Sequence, residues 1–468
     1  MLLRINHSGL SFDDYLHLLP KDLLDELTLL ADSFKGMRFV HANSTVSGGG
    51  VAEILQSLVP LMNSLGVQTE RLVVSPDDPE FFQVTKRIHN LLQGAQGSLS
   101  EQESEVYYRC VGEVAKEIDS RGLEADVWFF HDPQLLPMAS LMPKRNGEVR
   151  FWVCHIDLTA PNAGVLQELT PLTQHFDGLA FSLPEFVPSA INGHPPHYIT
   201  PPSIDPLTDK NRPMEKEEAL GIVAAMGLDP NRPLVTQVSR FDYWKDPWGV
   251  MDAYRWARKS VPGIQLALLG LSQAADDPEA LGVLHSVKDY ASGDPDIHAF
   301  FYPDDLPDSI DRIVNAFQTA SVAVLQKSTR EGFGLTVSEA MWKGQPVIGG
   351  NVGGIKTQIE DGVNGFLVST PEECGERIVH LIRDESLRLQ MGDAARESVR
   401  QRFLLPRLAV DYLRAAQSLI AGQANGQMHR LNGQRLGAFE ALEQMNFGSN
   451  PTKSVKGSPY FSQHIDIQ

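Results

Sequence analysis

Residues 330–339 read REGFGLTVSE, a stretch that joins an apolar run to a helical one through a glycine turn. The apolar run 321–325 before it predicts a buried strand. Residues 335–343 after it predict a helix that stops at Gly344, with Pro346 beyond. Gly332 and Gly334 remove side chains from the turn so that a ligand can approach the backbone. The unpaired N–H groups and the dipole at the helix N-terminus favour an anion there. Glu331 falls in the loop and Glu339 on the helix, so the unit suits a molecule that is both phosphate and sugar, such as a nucleotide-sugar diphosphate. A ligand-free reading stays open on this stretch alone: Thr336 and Glu339 have the spacing of a capping box, and Glu331 would then be a solvated loop acid.

The same strand, loop and helix alternation extends in both directions. Strands are predicted at 37–42, 67–74, 126–130, 149–154 and 178–181, and again at 234–238, 264–269, 297–302, 322–325 and 346–348. This is an α/β chain with two parallel-sheet domains. Between the two series, YITPPSIDP at 198–206 is rich in proline, which resists regular structure and suits an interdomain connection. The segment before Phe34 reads as a helical lead-in, with Leu18, Leu19, Leu23, Leu24, Leu27 and Leu30 near helical spacing, covering a core or a partner subunit. Thr370, Pro371 and Glu373 open a further helix, and the fold runs to at least Phe403. The expected division is a lead-in over 1–36, a first domain over 37–205, a second over 206–403 and a C-terminal helix over 404–421. A polar tail over 422–468 is expected to be loosely held, docking at most a short helix near 439–445.

Bulk properties narrow the function. The 468 residues carry 40 Lys+Arg against 59 Asp+Glu, a net charge of -19, which argues against a nucleic-acid or anionic-membrane partner. Cys110, Cys154 and Cys374 are scattered without metal-ligand spacing and fit a reducing compartment, so a cytoplasmic location is expected. Asp13, Asp14, Lys21, Asp22 and Asp25 interrupt the N-terminal apolar residues, unlike a signal peptide, which weakens a reading as a periplasmic binding protein.

Three more loops carry chemistry, each predicted at a strand end. SRFDYWKDP places Arg240 and Lys245 where ligands bind in open α/β sheets, and two fixed cations there stabilise a departing diphosphate. A surface pairing to Asp242 or Asp246 is the alternative. Ser47, Gly48, Gly49 and Gly50 make a glycine turn before a helix over 51–65; it is a poor dinucleotide fingerprint because Glu53 takes the third glycine's place. His131 with Asp132, and His155 with Asp157, follow two strands and suit sugar hydroxyls and an oxocarbenium-like centre. A helix cap is the alternative for Asp157.

Together these segments resemble the retaining GT-B glycosyltransferases of the glycogen-synthase and sucrose-synthase-like superfamily, over roughly residues 37–403. ANSTVSGGGVAEIL, HDPQLLPMA, CHIDLTAPN, VSRFDYWKDPWGV and GGNVGGIKTQIEDGVNGFLV are similar, more narrowly, to trehalose glycosyltransferring synthases and to fungal-type trehalose phosphorylases. The resemblance implies two Rossmann-like domains facing across a cleft and transfer of glucose from an NDP-glucose, UDP- or ADP-linked, to free glucose with retention. A phosphorylase using glucose 1-phosphate or phosphate, and a non-catalytic sugar-nucleotide-binding protein, are the alternatives. It further implies Arg240 and Lys245 on the diphosphate and Glu339 on the ribose. Glu331 and the backbone of Gly332, Phe333, Gly334 and Leu335 would take the donor sugar, and Thr336 would belong to the donor and nucleotide site. His155 would lie near the donor 6-hydroxyl, Asp132 near the reacting carbon and acceptor, Asp157 on the acceptor, and Gly49 and Gly50 on the phosphate from the other domain. No side chain is placed as a nucleophile. No cofactor and no metal ligand is expected, Mg2+ acting at most as a stimulant. The partners are small-molecule sugars and a nucleotide sugar, with a homodimer allowed.

Overall fold

The computed structural model describes residues 2–5, 11–47, 49–191, 193–270, 280–301 and 306–428. Within them the chain builds two sheets. The first contains β1 (Leu2–Ile5), β2 (Arg38–Asn43), β3 (Gln68–Val74), β4 (Val127–His131), β5 (Val149–Cys154), β6 (Gly178–Phe181) and β7 (His197–Ile199), in the order β1-β3-β2-β4-β5-β6-β7. All its pairings are parallel except that of β1, which lies antiparallel on β3. The second contains β8 (Leu234–Val238), β9 (Gln265–Leu269), β10 (Ile297–Phe300), β11 (Ala323–Gln326), β12 (Val347–Gly350) and β13 (Gly365–Val368), in the order β10-β9-β8-β11-β12-β13, and is wholly parallel.

Both orders reverse direction once, between β2 and β4 in the first sheet and between β8 and β11 in the second. At such a reversal the loops leaving the two neighbouring strands part to opposite faces and open a crevice at the carboxyl edge, where ligands bind. The glycine loop and His131 leave the first reversal; Arg240 and Glu331 leave the second.

Strands buried on both faces need apolar side chains on both, which is why β4 reads VWFFH. Val127 and Phe129 enter the core that also holds Phe39, Phe151 and Val153; Trp128 and Phe130 enter the opposite one with Val40, Ala42 and Trp152. The helix Lys21–Ser33 buries Leu23, Leu27, Leu30 and Ala31, one face at helical spacing, in the first of these cores. Each such leucine contributes about 1.5–3 kcal/mol of transfer free energy.

Several expectations change. The lead-in is not all helix: residues 2–5 form the edge strand β1, and the helix begins only at Lys21, after the 3-10 turn Phe12–Tyr15. The proline-rich segment is entered as strand, since β7 takes in Tyr198 and Ile199. β13 is an added strand. The last helix runs Leu405–Met428, past the expected end at 421, and the rest of the tail lies outside the described residues. That helix returns to the first half, where Leu405, Leu408 and Tyr412 share a core with Phe39 and Phe129. It gets there beside the connection: Ile204 N–H donates to Phe403 O at 2.9 Å and Leu405 N–H to Ile204 O at 2.8 Å. The two chain crossings between the sheets are therefore hydrogen-bonded to each other.

Candidate active site

The rim of the second sheet is built by the loops after β8 and β11. Asp242 caps the 3-10 turn Tyr243–Lys245 by accepting from Trp244 N–H at 2.9 Å, which fixes where Lys245 leaves the backbone. Lys245 Nζ donates to Glu331 Oε2 at 2.5 Å, and the same oxygen accepts from Ser328 Oγ at 3.2 Å and Gln326 Nε2 at 3.3 Å. Asp246, at φ 48, caps the helix Pro247–Arg258 and takes Lys327 at 2.5 Å. The surface-pair alternative for Lys245 therefore fails: its partner is the loop glutamate, not Asp242 or Asp246. Arg240 stands in the same loop close to His89 of the helix Glu80–Leu92; burial, then Lys86, then Arg240 push His89 down to about 3. Lys86 of one half and Arg240 of the other thus bring cationic charge to this spot, with Asp242 opposing it.

Beyond Glu331 the chain turns through Gly334, left-handed at φ 83, into the helix Leu335–Trp342. Gly334 is the N-cap and gives the first-turn amides no side-chain partner. Thr336 is only the second helical residue, so the capping-box alternative fails as well. Glu339, 1% exposed, instead faces Lys210, with Oε1 to Nζ at 3.6 Å, and Lys210 Nζ reaches both carboxylate oxygens of Glu53 at 2.7 Å. Burial alone would lower Lys210, but Glu339 and Glu53 outweigh it and hold its ammonium above the ordinary value. Burial raises Glu53 against the pull of Lys210, and pushes the neighbouring Lys343 down to about 7. Phe333 turns inward, 4% exposed, its ring 5.4 Å from Phe403, so only its backbone is offered to a ligand.

The rim of the first sheet carries three histidines. His41 lies within β2, His131 ends β4 and His155 follows β5, on three neighbouring strands. His41 Nδ1 lies 3.0 Å from His131 Nε2, and His131 Nδ1 lies 3.1 Å from His155 Nε2. Burial lowers all three pKa values, that of His41 to about 3. Asp132 has φ 62, a costly backbone for a residue with a Cβ, and its Oδ1 accepts from His155 N–H at 3.0 Å while its own carbonyl accepts from Trp152 Nε1 at 3.0 Å. Asp157 is buried and spends Oδ1 on the Thr159 N–H at 2.8 Å and hydroxyl at 2.6 Å, forming its own turn. Gly49 caps the helix Gly50–Ser64; Gly48 lies outside the described residues. Arg71 ties down the loop ahead of the glycines through Asn43 Oδ1 at 2.9 Å and the carbonyls of Thr45 and Val46 at 2.7 and 2.9 Å.

The rims touch. A Cβ on Gly332 would come within 2.3 Å of His155 O, so the turn needs glycine for the two halves to meet. A Cβ on Gly50 would meet Leu335 Cδ1 at 3.2 Å, which sets the glycine loop against the helix that carries Glu339. Lys86 Nζ lies 4.0 Å from Asp242, and Lys210, on the segment between the sheets, bridges Glu53 of one half to Glu339 of the other. Lys245, Glu331, Gly332, His155 and Asp132 thus converge, and Gly50, Leu335 and Glu339 lie beside them; Asp157 is drawn into its own loop. Glu53, Lys210, Lys343, Arg71 and His41 were not expected. His41 was within reach, because it lies in the strand that leads into the glycine loop, as His131 and His155 lie at or just after the ends of theirs; Lys210 has no local sequence signal.

Two family models match the chain: Trehalose synthase, N-terminal domain, over residues 41–188, and Glycosyl transferases group 1 over residues 222–398. The chain is 40% identical to a trehalose synthase of Rubrobacter xylanophilus over 90% of this chain and 100% of that one, and 40% identical to a trehalose synthase of Pyrococcus horikoshii over 87% and 96%. It is 29% identical to a trehalose phosphorylase of Grifola frondosa over 83% of this chain and 58% of that one. Among solved structures, a sucrose-phosphate synthase from Thermosynechococcus elongatus superposes with a TM-score of 0.63 at 15% identity, over 82% of this chain and 100% of that one. That likeness bears on the fold, which is GT-B.

Proposed function

The chain belongs to the trehalose synthase family of group 1 glycosyltransferases and is a hexosyltransferase of trehalose metabolism, and on that premise we propose that it moves glucose from an NDP-glucose to free glucose, giving α,α-trehalose. The observation that carries the reading is the contact of Gly332 with His155 O, because it brings the Lys245 and Glu331 loop of one sheet against the Asp132 and His155 rim of the other. Charge builds on the diphosphate oxygen as its bond to the sugar breaks. Arg240 and Lys245 offset that charge with fixed cations, and the helix N-terminus at Gly334 adds its amides. Glu331, paired with Lys245 in the structure, turns to the donor sugar hydroxyls once the diphosphate takes the ammonium. Glu339 exchanges Lys210 for the ribose hydroxyls.

Among the described residues the rim is rich in cations and hydrogen-bonding groups, and its carboxylates Asp132 and Glu331 are engaged by the His155 amide and by Lys245. This supports a reaction on one face of the sugar, in which the leaving phosphate oxygen accepts the acceptor's proton and retention needs no covalent intermediate. Asp132, oriented by the His155 amide, lies beside the reacting carbon, and Asp157 shapes the acceptor end through its turn. A phosphorylase shares the phosphate contacts but leaves the nucleoside side idle; the buried Glu339, positioned by Lys210, favours the nucleotide-dependent reading.

Incubation with labelled glucose and a panel of NDP-glucoses, and separately with glucose 1-phosphate, tests this. Labelled trehalose should form with an NDP-glucose. Formation from glucose 1-phosphate alone, with none from any NDP-glucose, would transfer the assignment to phosphorolysis.

A further inference from the structure

The three histidines lie in a row that the sheet register dictates. His41 pairs with Phe129, and His131 pairs with Val153, in parallel ladders. His131 is two residues on from Phe129, and His155 two on from Val153. Side chains two apart share a face, so all three imidazoles project from the same face of three adjacent strands, each one step further along. His131 stacks on His155 at 5.4 Å between centroids, and His41 on Phe129 at 4.5 Å.

Two N···N contacts between three neutral rings each hold one hydrogen. If His131 donates from one ring nitrogen it must accept on the other, so all the N–H groups point the same way. The buried end of the row decides which way. His41 Nε2 is enclosed without a hydrogen-bond partner, and an orphaned buried N–H is rarer than an under-satisfied buried acceptor. Nε2 therefore carries the lone pair and Nδ1 the hydrogen. The Tyr412 ring lies 5.6 Å from that of His41, and its hydroxyl is likewise enclosed without a hydrogen-bond partner. The charges at the ends agree. Arg71 acts on His41 and repels a proton from that end, while Asp132 acts on His155 and attracts one to the other.

The geometry points to His41 and His131 as positioning residues that hold His155 neutral and protonated at Nδ1, with Nε2 accepting from His131, so that His155 meets the substrate as a hydrogen-bond donor. Its kinetic consequence rests on the proposed transfer from a nucleotide sugar; the tautomer itself does not.

Long-range 1H–15N spectra of the full-length protein labelled in histidine, at neutral pH and without substrate, read the tautomer. His155 should show a protonated Nδ1 and a bare Nε2, and His41 the same pattern. In His41→Phe the direction is no longer set, and the His155 Nε2–H form should grow. His41→Asn places an amide N–H where Nδ1 was and should restore the wild-type tautomer. Transfer from the NDP-glucose should follow, with kcat/KM lower by roughly five- to tenfold in His41→Phe and regained in His41→Asn. A wild-type His155 protonated at Nε2 overturns the inference, whether or not the variants fold. So does a His41→Phe protein whose His155 tautomer is unchanged. The expected tautomers in a protein that transfers nothing would leave the inference intact and refute the proposed function instead.

Discussion

Lys245 and Glu339 are each held by a partner, Glu331 and Lys210, that a nucleotide sugar would have to replace in the proposed transfer, and the cost of that exchange sets what their removal should do. Glu331 keeps hydrogen bonds from Gln326 and Ser328 when Lys245 is gone, so Lys245→Ala should fold. Its turnover should fall by about 2–4 kcal/mol of barrier, and Arg240→Ala should behave alike. Normal kcat in either folded variant would remove that cation from the leaving-group site. In Glu339→Gln, Lys210 retains Glu53, so the melting temperature should move little while KM for the nucleotide sugar rises about tenfold, the loss of one charge-assisted contact. A lower melting temperature with unchanged KM would make Glu339 purely structural. His41, faced by Arg71, His131, His155 and the Tyr412 ring, is held at about 3 against its ordinary 6.5. Its folded pKa is depressed, so the unfolded chain binds the proton first, and stability drops as pH falls from 6.5 toward 3 by about 1.4 kcal/mol per pH unit. Urea midpoints at pH 7 and pH 5 should therefore shift in favour of His41→Phe by about 2 kcal/mol at the lower pH; a constant difference between the two proteins would contradict this.

At the scale of elements, what the sequence revealed followed burial. The central strands β2, β4, β5, β8, β9, β11 and β12 are buried runs with one punctuating loop each, and their ends placed Arg240, Glu331, His131 and His155 at the carboxyl edge before any coordinates. The strands that went unread are β1, β7 and β13, all at sheet edges and three or four residues long. An edge strand pairs on one side only and can be short, and runs of three or four residues give too few positions to set a period. The capping-box spacing of Thr336 and Glu339 was ambiguous for a different reason: the helix start depends on the left-handed Gly334, and a shift of two residues in that start turns a cap into a ligand group. Lys210 and Glu53 lie 157 residues apart and could be joined only by folding. The turn itself is testable. Gly332→Ala puts a Cβ 2.3 Å from His155 O and must push the rims apart, and a displacement of about 1 Å can cost about a hundredfold in rate. Turnover should drop by that order with little change in melting temperature, because the turn's other contacts remain; full activity would show that the rims need not touch.

Across the whole molecule, the two sheets are joined by crossings that are bonded to each other, through Ile204 to Phe403 and Leu405, while the rims meet through Lys86 with Asp242, Lys210 with Glu339 and Gly50 with Leu335. Such an arrangement concentrates bending at the 204 and 404 positions and leaves the rims able to part. In the proposed transfer, donor entry would require parting, because Gly332 lies against His155 O and Lys210 spans Glu53 and Glu339. Reaction requires return, because water left in the cleft would hydrolyse the donor and because Asp132 and Lys245 sit on opposite rims. Nucleoside diphosphate plus sugar should therefore slow hydrogen exchange in the glycine loop and in the 330–336 turn, and small-angle scattering should show the chain more compact with these ligands than with none. Segment 203–206 and the start of the last helix should keep their protection in both states, since hydrogen bonds at the pivot persist while the rims move. If exchange and dimensions are the same with and without ligands while turnover is normal, the donor enters and reacts without domain motion, and the contacts between the rims are permanent parts of the fold.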